Sequence, residues 1–151
     1  MSPTGRAGLE APILVGGLSN TGKTPVRRIL EAHPDLWFSR RTYLWPRFQG
    51  RFGDLAEPEN VQRLLDAVLT DPGGQALQPE PASIRAEFDG GPPTYARFFG
   101  VLYSQHARRL GARRWGVQVK SIEGLADSIL TGLPAAVMLH LVRDPRTRSA
   151  G

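Results

Sequence analysis

A glycine-rich loop between two apolar segments constrains the fold of this 151-residue chain more than any other feature. The stretch ILVGGLSNTGKTP starts at Ile13, and it fits the pattern G-x-x-x-x-G-K-[ST] from Gly17 to Thr24. An apolar run precedes the loop, and a helix-compatible segment, 24–32, follows it. A strand, a glycine turn and a helix in this order bring backbone N–H groups and the positive end of a helix to one point. The pattern predicts an anion-binding loop; the alternative is an ordinary glycine-rich turn between a strand and a helix.

The side chains at the end of this loop suit a phosphate group. Lys23 supplies a mobile positive charge, and Thr24 supplies a hydroxyl at the first turn of the predicted helix. Pro25 fits that turn because its position needs no backbone N–H. By pattern alone, the loop is typical of an ATP- or GTP-binding protein or of another enzyme that binds phosphate.

The order of the remaining predicted elements sets the fold class. The apolar segments predict strands, and segments with helical periodicity separate them. The order is strand, helix, helical insertion, strand, helix, strand, which predicts an α/β fold with a P-loop-NTPase-like parallel sheet flanked by helices. We expect residues 1–11 to be a flexible tail and 12–151 to form one domain. Strands are predicted at 12–16, 115–119 and 136–142, and helices at 24–32, from Pro58 to Asp71, from Thr94 to Gly111 and at 121–130, with at most a short helix around 83–88 within 72–93.

The composition excludes several classes of function. The chain has no cysteine, which excludes disulfides, thiolate chemistry and cysteine zinc sites, and its three histidines have no metal-ligand spacing. The net charge of +5 suits a pocket for a polyanionic small molecule, whereas no run of Arg or Lys exceeds two residues, which disfavours nucleic acid. The sequence shows no signal-peptide core and no membrane-spanning apolar run, so we expect a cytoplasmic protein without a membrane partner.

A second motif follows the last predicted strand, in the segment VMLHLVRDPR. A Mg-ATP enzyme needs an aspartate at the end of such a strand to hold the metal. Here Arg143 comes first and Asp144 second, and an arginine at this place favours a second phosphate over a metal site. Both motifs directly follow predicted strands, and ligands of parallel sheets bind beyond the carboxyl ends of the strands. The two motifs therefore predict one shared site without metal.

The ordered segments ILVGGLSNTGKTPVRRILEAHPDL, RWG and VMLHLVRDPR resemble the PAPS-dependent sulfotransferases, in particular the bacterial group related to the tyrosyl-protein enzymes. The resemblance covers most of residues 12–148. It implies 3′-phosphoadenosine 5′-phosphosulfate (PAPS) as cofactor, no metal, and transfer of the sulfonyl group to a hydroxyl or amine. It also implies that Lys23 is catalytic, neutralising charge on the bridging oxygen, and that Arg143 holds the 3′-phosphate of PAPS or of its product adenosine 3′,5′-bisphosphate. The residues that it implies around the 5′-phosphosulfate are Ser19, Asn20, Thr21, Gly22, Lys23, Thr24 and Pro25.

The chain departs from the family pattern at positions that matter for turnover. Arg40 and Arg41 stand where the tyrosyl-protein relatives carry the acidic base, and Val117 stands where an acid is usual. The family's serine that binds the 3′-phosphate would fall on Gly151, the last residue, so we expect a truncated, N-terminal portion of the family fold. The sequence assigns no general base, oligomeric state or acceptor, which is either a small molecule or a peptide. The alternatives are a P-loop kinase or NTPase using Mg-ATP, and a catalytically degenerate nucleotide-binding fragment.

Overall fold

A parallel sheet forms the centre of the computed structural model, which describes residues 11–17, 28–39, 44–119 and 124–141. Its strands are short and rich in apolar side chains, as expected for a sheet covered on both faces. The strands are β1 (Ile13–Gly17), β2 (Leu36–Ser39), β3 (Arg114–Gln118) and β4 (Val137–Leu141).

The strands lie in the order β2-β3-β1-β4, and every neighbouring pair is parallel. The register pairs Trp37 with Trp115, Leu14 with Val117, and Leu14 with Met138 on its other side. All four strands therefore end at the same edge of the sheet, which we call the carboxyl edge. The predicted α/β class with a parallel sheet flanked by helices is confirmed.

The helices of the described residues follow the predicted order with additions. The helices predicted from Pro58, around 83–88 and from Thr94 are confirmed. Residues 28–31 are helical and belong to the predicted segment 24–32. Strand β2 and two short helices were not predicted. The helices are α1 (Leu44–Phe48), α2 (Pro58–Thr70), α3 (Pro72–Gln75), α4 (Pro81–Asp89), α5 (Tyr95–Arg109) and α6 (Ala126–Gly132).

The main core lies between one face of the sheet and helix α5. Because side chains alternate along a strand, Leu14, Trp115 and Val117 point to this face, and all three are buried. Val15 and Phe38 are also buried but lie outside this cluster, as expected for the opposite face. Ten of the twelve residues of α5 from Ala96 to Ala107 are buried, which explains why this helix dominates the core.

Helix α5 runs antiparallel to the strands. Its last turns contact the start of β2, where the ring of Trp37 lies 4.7 Å from that of His106. Tyr103 stacks on Trp115, the second residue of β3, with ring centroids 5.1 Å apart. Only four residues separate Arg109, the last residue of α5, from the start of β3, so α5 ends at the amino edge of the sheet. Phe99, one turn earlier, stacks at 5.3 Å on Trp45, a residue that follows β2 in the chain. The first residues of α5 therefore lie toward the carboxyl edge.

A buried histidine makes the stability of this core depend on pH. Burial lowers the pKa of the His106 imidazole below its ordinary value of 6.5, the charge of Arg109 lowers it further, and a hydrogen bond with the Leu77 backbone opposes the change. The unfolded chain then binds the proton more readily than the folded one. The contribution of neutral His106 to stability is therefore fully present above about pH 6.5. It is lost as the pH falls from there through the lower pKa of the folded state.

We expect the free energy of unfolding of the wild type to decrease between about pH 7.5 and about pH 5.5, and His106→Gln to reduce that decrease. Urea unfolding at both pH values measures the difference. His33→Gln serves as control, because His33 is exposed and its Nδ1 accepts a local hydrogen bond from the Asp35 N–H at 3.2 Å. An equal pH dependence in the His106 variant and the wild type would contradict the assignment.

Candidate functional site

The two predicted phosphate-binding segments start from neighbouring strands. Strands β1 and β4 pair directly, and the last pair of their register joins Gly17 to Leu141. The predicted loop motif begins at Gly17, the last residue of β1, and Arg143 follows Leu141 by two positions. Both segments therefore leave the sheet from adjacent points on the carboxyl edge.

The predicted site residues themselves lie outside the described residues. Their chain positions relative to β1 and β4 are fixed, but their mutual contacts stay a prediction. These residues are Ser19, Asn20, Thr21, Gly22, Lys23, Thr24, Pro25 and Arg143.

In the chain, the other two strands are also followed by basic residues. Ser39 ends β2 and precedes Arg40 and Arg41, and Lys120 follows β3 after one further residue; these three basic residues lie outside the described ranges. The ends of all four strands are thus followed in the chain by positively charged residues, an arrangement that favours a polyanionic ligand.

The position that carries an acid in the resembling enzymes is part of the core here. Val117 lies in β3 with 1% of its surface exposed, and it belongs to the cluster beneath α5. A carboxylate at this place would be surrounded by apolar side chains. The structure therefore agrees with valine here and offers no base at this position.

Several aromatic residues lie near Trp37 in the chain, where they could line a pocket or belong to the core. Trp45 is fully buried against Phe99 and therefore belongs to the core. Trp37 and Phe48 are half-buried and pack against the same core, while Tyr43 lies outside the described residues.

Shifted pKa values do not mark the site in the described part of the chain. The two groups with a clear shift are Tyr103, whose pKa burial raises, and His106, whose pKa burial lowers. Both lie between α5 and the sheet, and the Tyr103 hydroxyl and His106 Nδ1 have no hydrogen-bond partner among the described residues. These shifts therefore report on the core rather than on a reaction centre.

A cleft of about 380 Å³ opens beside the start of α5, and sequence reasoning did not predict it. It lies between the end of α1, the first turn of α5 and helix α6. Since α5 begins toward the carboxyl edge, the cleft lies on the side of the sheet from which the predicted phosphate segments leave. Its lining residues are Gln49, Thr94, Tyr95, Ala96, Asp127, Ser128 and Thr131.

Hydrogen bonds of Thr94 and Tyr95 fix one wall of this cleft. The Thr94 hydroxyl accepts from the Arg97 N–H at 3.1 Å and so caps α5. The Tyr95 hydroxyl accepts from the Phe52 N–H at 2.8 Å and donates to the Gly53 carbonyl at 2.9 Å, which holds the Tyr95 ring in place.

A glycine allows the two helices that border the cleft to approach closely. A Cβ atom at Gly132, the last residue of α6, would meet the Cβ of Ala96 at 2.6 Å and the Thr94 hydroxyl oxygen at 2.8 Å. Any larger side chain would push α6 away from α5 and widen the cleft. The spacing of the cleft thus depends on glycine at this position.

Neither a metal centre nor a membrane span occurs within the described ranges. No group of three or more His, Asp or Glu side chains within these ranges is arranged to hold a metal ion. The helices there lack the length and apolarity needed to cross a bilayer.

Comparison with known protein families finds a match that covers most of the chain. A family model described as the sulfotransferase family matches residues 12–150, which is nearly the whole chain. The chain belongs to the sulfotransferase family. A search of curated proteins finds no match. Membership confirms the resemblance seen in the sequence, and it supports sulfonyl transfer as the general chemistry of this sulfotransferase-family chain.

Proposed function

We propose that the chain binds PAPS at the carboxyl edge and transfers its sulfonyl group to a hydroxyl or amine of a small-molecule or peptide acceptor. The observation that carries the proposal is the pairing of Gly17 with Leu141, which starts the two predicted phosphate-binding segments from adjacent strands. Adjacent strands lie roughly 4.8 Å apart, so both segments are within reach of one nucleotide.

The charges around this edge fit a donor with two separate anionic groups. Residues 19–25 would hold the 5′-phosphosulfate through backbone N–H groups at the start of a helix, and Arg143 would hold the 3′-phosphate. A Mg-nucleotide would instead need a carboxylate directly at the end of the second strand, where this chain has arginine. The arginine at this position therefore favours PAPS over Mg-ATP.

Lys23 has a different role from that of Arg143 in this proposal. As the sulfonyl group leaves, negative charge builds on the oxygen that bridges phosphorus and sulfur. A lysine ammonium beside that oxygen stabilises the transition state more than the ground state. Arg143 contacts a phosphate that does not react, so it contributes to affinity.

Isothermal titration calorimetry with adenosine 3′,5′-bisphosphate in the absence of Mg²⁺ tests the proposal. We expect the wild type to bind this product and Arg143→Ala to bind it about 10- to 100-fold more weakly, because a charge-assisted hydrogen bond is lost. Arg113→Ala is the matched control, since Arg113 is exposed and precedes β3 at the opposite edge of the sheet.

Two other outcomes would contradict this function. Tighter binding of Mg-ATP than of adenosine 3′,5′-bisphosphate would support a kinase or NTPase. A folded chain that binds neither nucleotide would support the catalytically degenerate fragment.

A further inference from the structure

The cleft beside α5 lies on the same side of the sheet as the proposed donor site. Helix α5 begins toward the carboxyl edge, and α6 follows β3 in the chain after that strand has reached the same edge. A ligand in the cleft and a nucleotide at the ends of β1 and β4 would therefore both lie beyond this edge. The two substrates of a transfer reaction must lie close together, and a shared edge is a necessary condition for that.

One polar group of the cleft, the Gln49 amide, is oriented before any ligand binds. The Gln49 side-chain carbonyl accepts from the Trp45 indole N–H at 2.7 Å, which leaves both amide N–H donors of Gln49 for a ligand. Within the described part of the chain, the side chains of Asp127, Ser128 and Thr131 have no hydrogen-bond partner and are exposed to solvent. Together these groups offer donors, acceptors and one carboxylate.

The charge of the cleft is opposite to that of the donor site. Among the described residues that line it, Asp127 is the single charged one, and none is a lysine or arginine. A carboxylate in this lining disfavours the polyanionic nucleotide and favours an uncharged alcohol. The cleft therefore suits the acceptor and not the donor.

We propose that this cleft binds an uncharged alcohol as acceptor and that Asp127 is the general base, an inference that depends on the proposed sulfotransferase function. The acceptor oxygen forms a bond to sulfur while the bond between sulfur and the bridging oxygen breaks. The electron pair of that bond stays on adenosine 3′,5′-bisphosphate, and the acceptor proton passes to the Asp127 carboxylate. Asp127 thereby supplies the base that Arg40 and Arg41 cannot provide, since arginine stays protonated.

Transfer from PAPS to two probe alcohols of different acidity tests this role in the full chain. Benzyl alcohol needs a base to lose its proton, whereas 4-nitrophenol ionises readily on its own. We expect Asp127→Asn to lower kcat about 10²-fold with benzyl alcohol and less than about tenfold with 4-nitrophenol. We also expect Thr131→Trp, which fills the cleft, to raise KM for benzyl alcohol and to leave the affinity for adenosine 3′,5′-bisphosphate unchanged.

Asp66→Asn is the matched control, because Asp66 is an exposed helical aspartate on α2, outside the cleft lining. Equal losses with both alcohols in Asp127→Asn, or no loss, would overturn the role of Asp127. A wild type that binds the nucleotide but transfers to neither alcohol would overturn the acceptor class. A wild type that does not bind adenosine 3′,5′-bisphosphate would overturn the proposed function itself. Calorimetry detects this outcome separately from the transfer assays that test Asp127 and the acceptor class.

Discussion

Replacing Lys23 by alanine is expected to lower kcat for sulfonyl transfer about 10²- to 10³-fold, the usual effect of removing one group that stabilises transition-state charge. The charge on the bridging oxygen exists mainly in the transition state, so the loss should fall on kcat rather than on KM for PAPS. Initial rates at saturating PAPS with 4-nitrophenol as acceptor measure kcat, and calorimetry with adenosine 3′,5′-bisphosphate measures binding separately.

Arg113→Ala is the control for this change, because it also removes one positive charge but lies exposed before β3, at the opposite edge of the sheet. We expect the control to keep kcat near that of the wild type. If Lys23→Ala raised KM for PAPS and left kcat unchanged, Lys23 would bind the ground state and the transition state equally. The transition-state role would then be wrong, although the phosphate-binding role would stand.

Trp115→Ala is expected to lower the free energy of unfolding by about 3–5 kcal/mol, because it removes a large side chain from a closely packed core. Trp115 is 0% exposed, and its ring stacks on Tyr103 between β3 and α5. The remaining cavity would lie beneath the helix whose first residues border the cleft. Urea unfolding followed by circular dichroism gives the difference in free energy from the wild type.

Leu110→Ala removes an apolar side chain that is 58% exposed and serves as the control. Exposed positions of this kind usually change the free energy of unfolding by less than about 0.5 kcal/mol. A Trp115→Ala loss as small as that of the control would show that β3 and α5 do not form one cooperative core.

The elements with clear periodicity were predictable from the sequence. Val61, Leu64, Leu65 and Val68 recur at helical spacing, and all four are buried on α2. Strand β2 was not predictable, because four residues, LWFS, are too few to show alternation. Its pairing with β3 depends on tertiary contacts that appear only when the sheet has assembled.

The candidate site also has a part that was predictable from the sequence and a part that was not. The phosphate-binding segments were predictable, since each is a short motif next to an apolar strand. The cleft was not, because Gln49, Tyr95 and Asp127 are far apart in the chain and belong to no motif. Their meeting depends on the direction of α5 and on the close packing of Gly132 against Ala96, which no local pattern records.

The pairing of β1 has a consequence for synthesis of the chain. Ile13 pairs with Gly116 on one side and with Val137 on the other, so this strand meets no partner until most of the protein has left the ribosome. Helices α2, α4 and α5 lie between these segments in the chain, and their internal hydrogen bonds are local and form quickly. The nascent chain therefore exposes β1 the longest, and the strand that leads into the phosphate loop is among the last to gain its hydrogen-bonded neighbours.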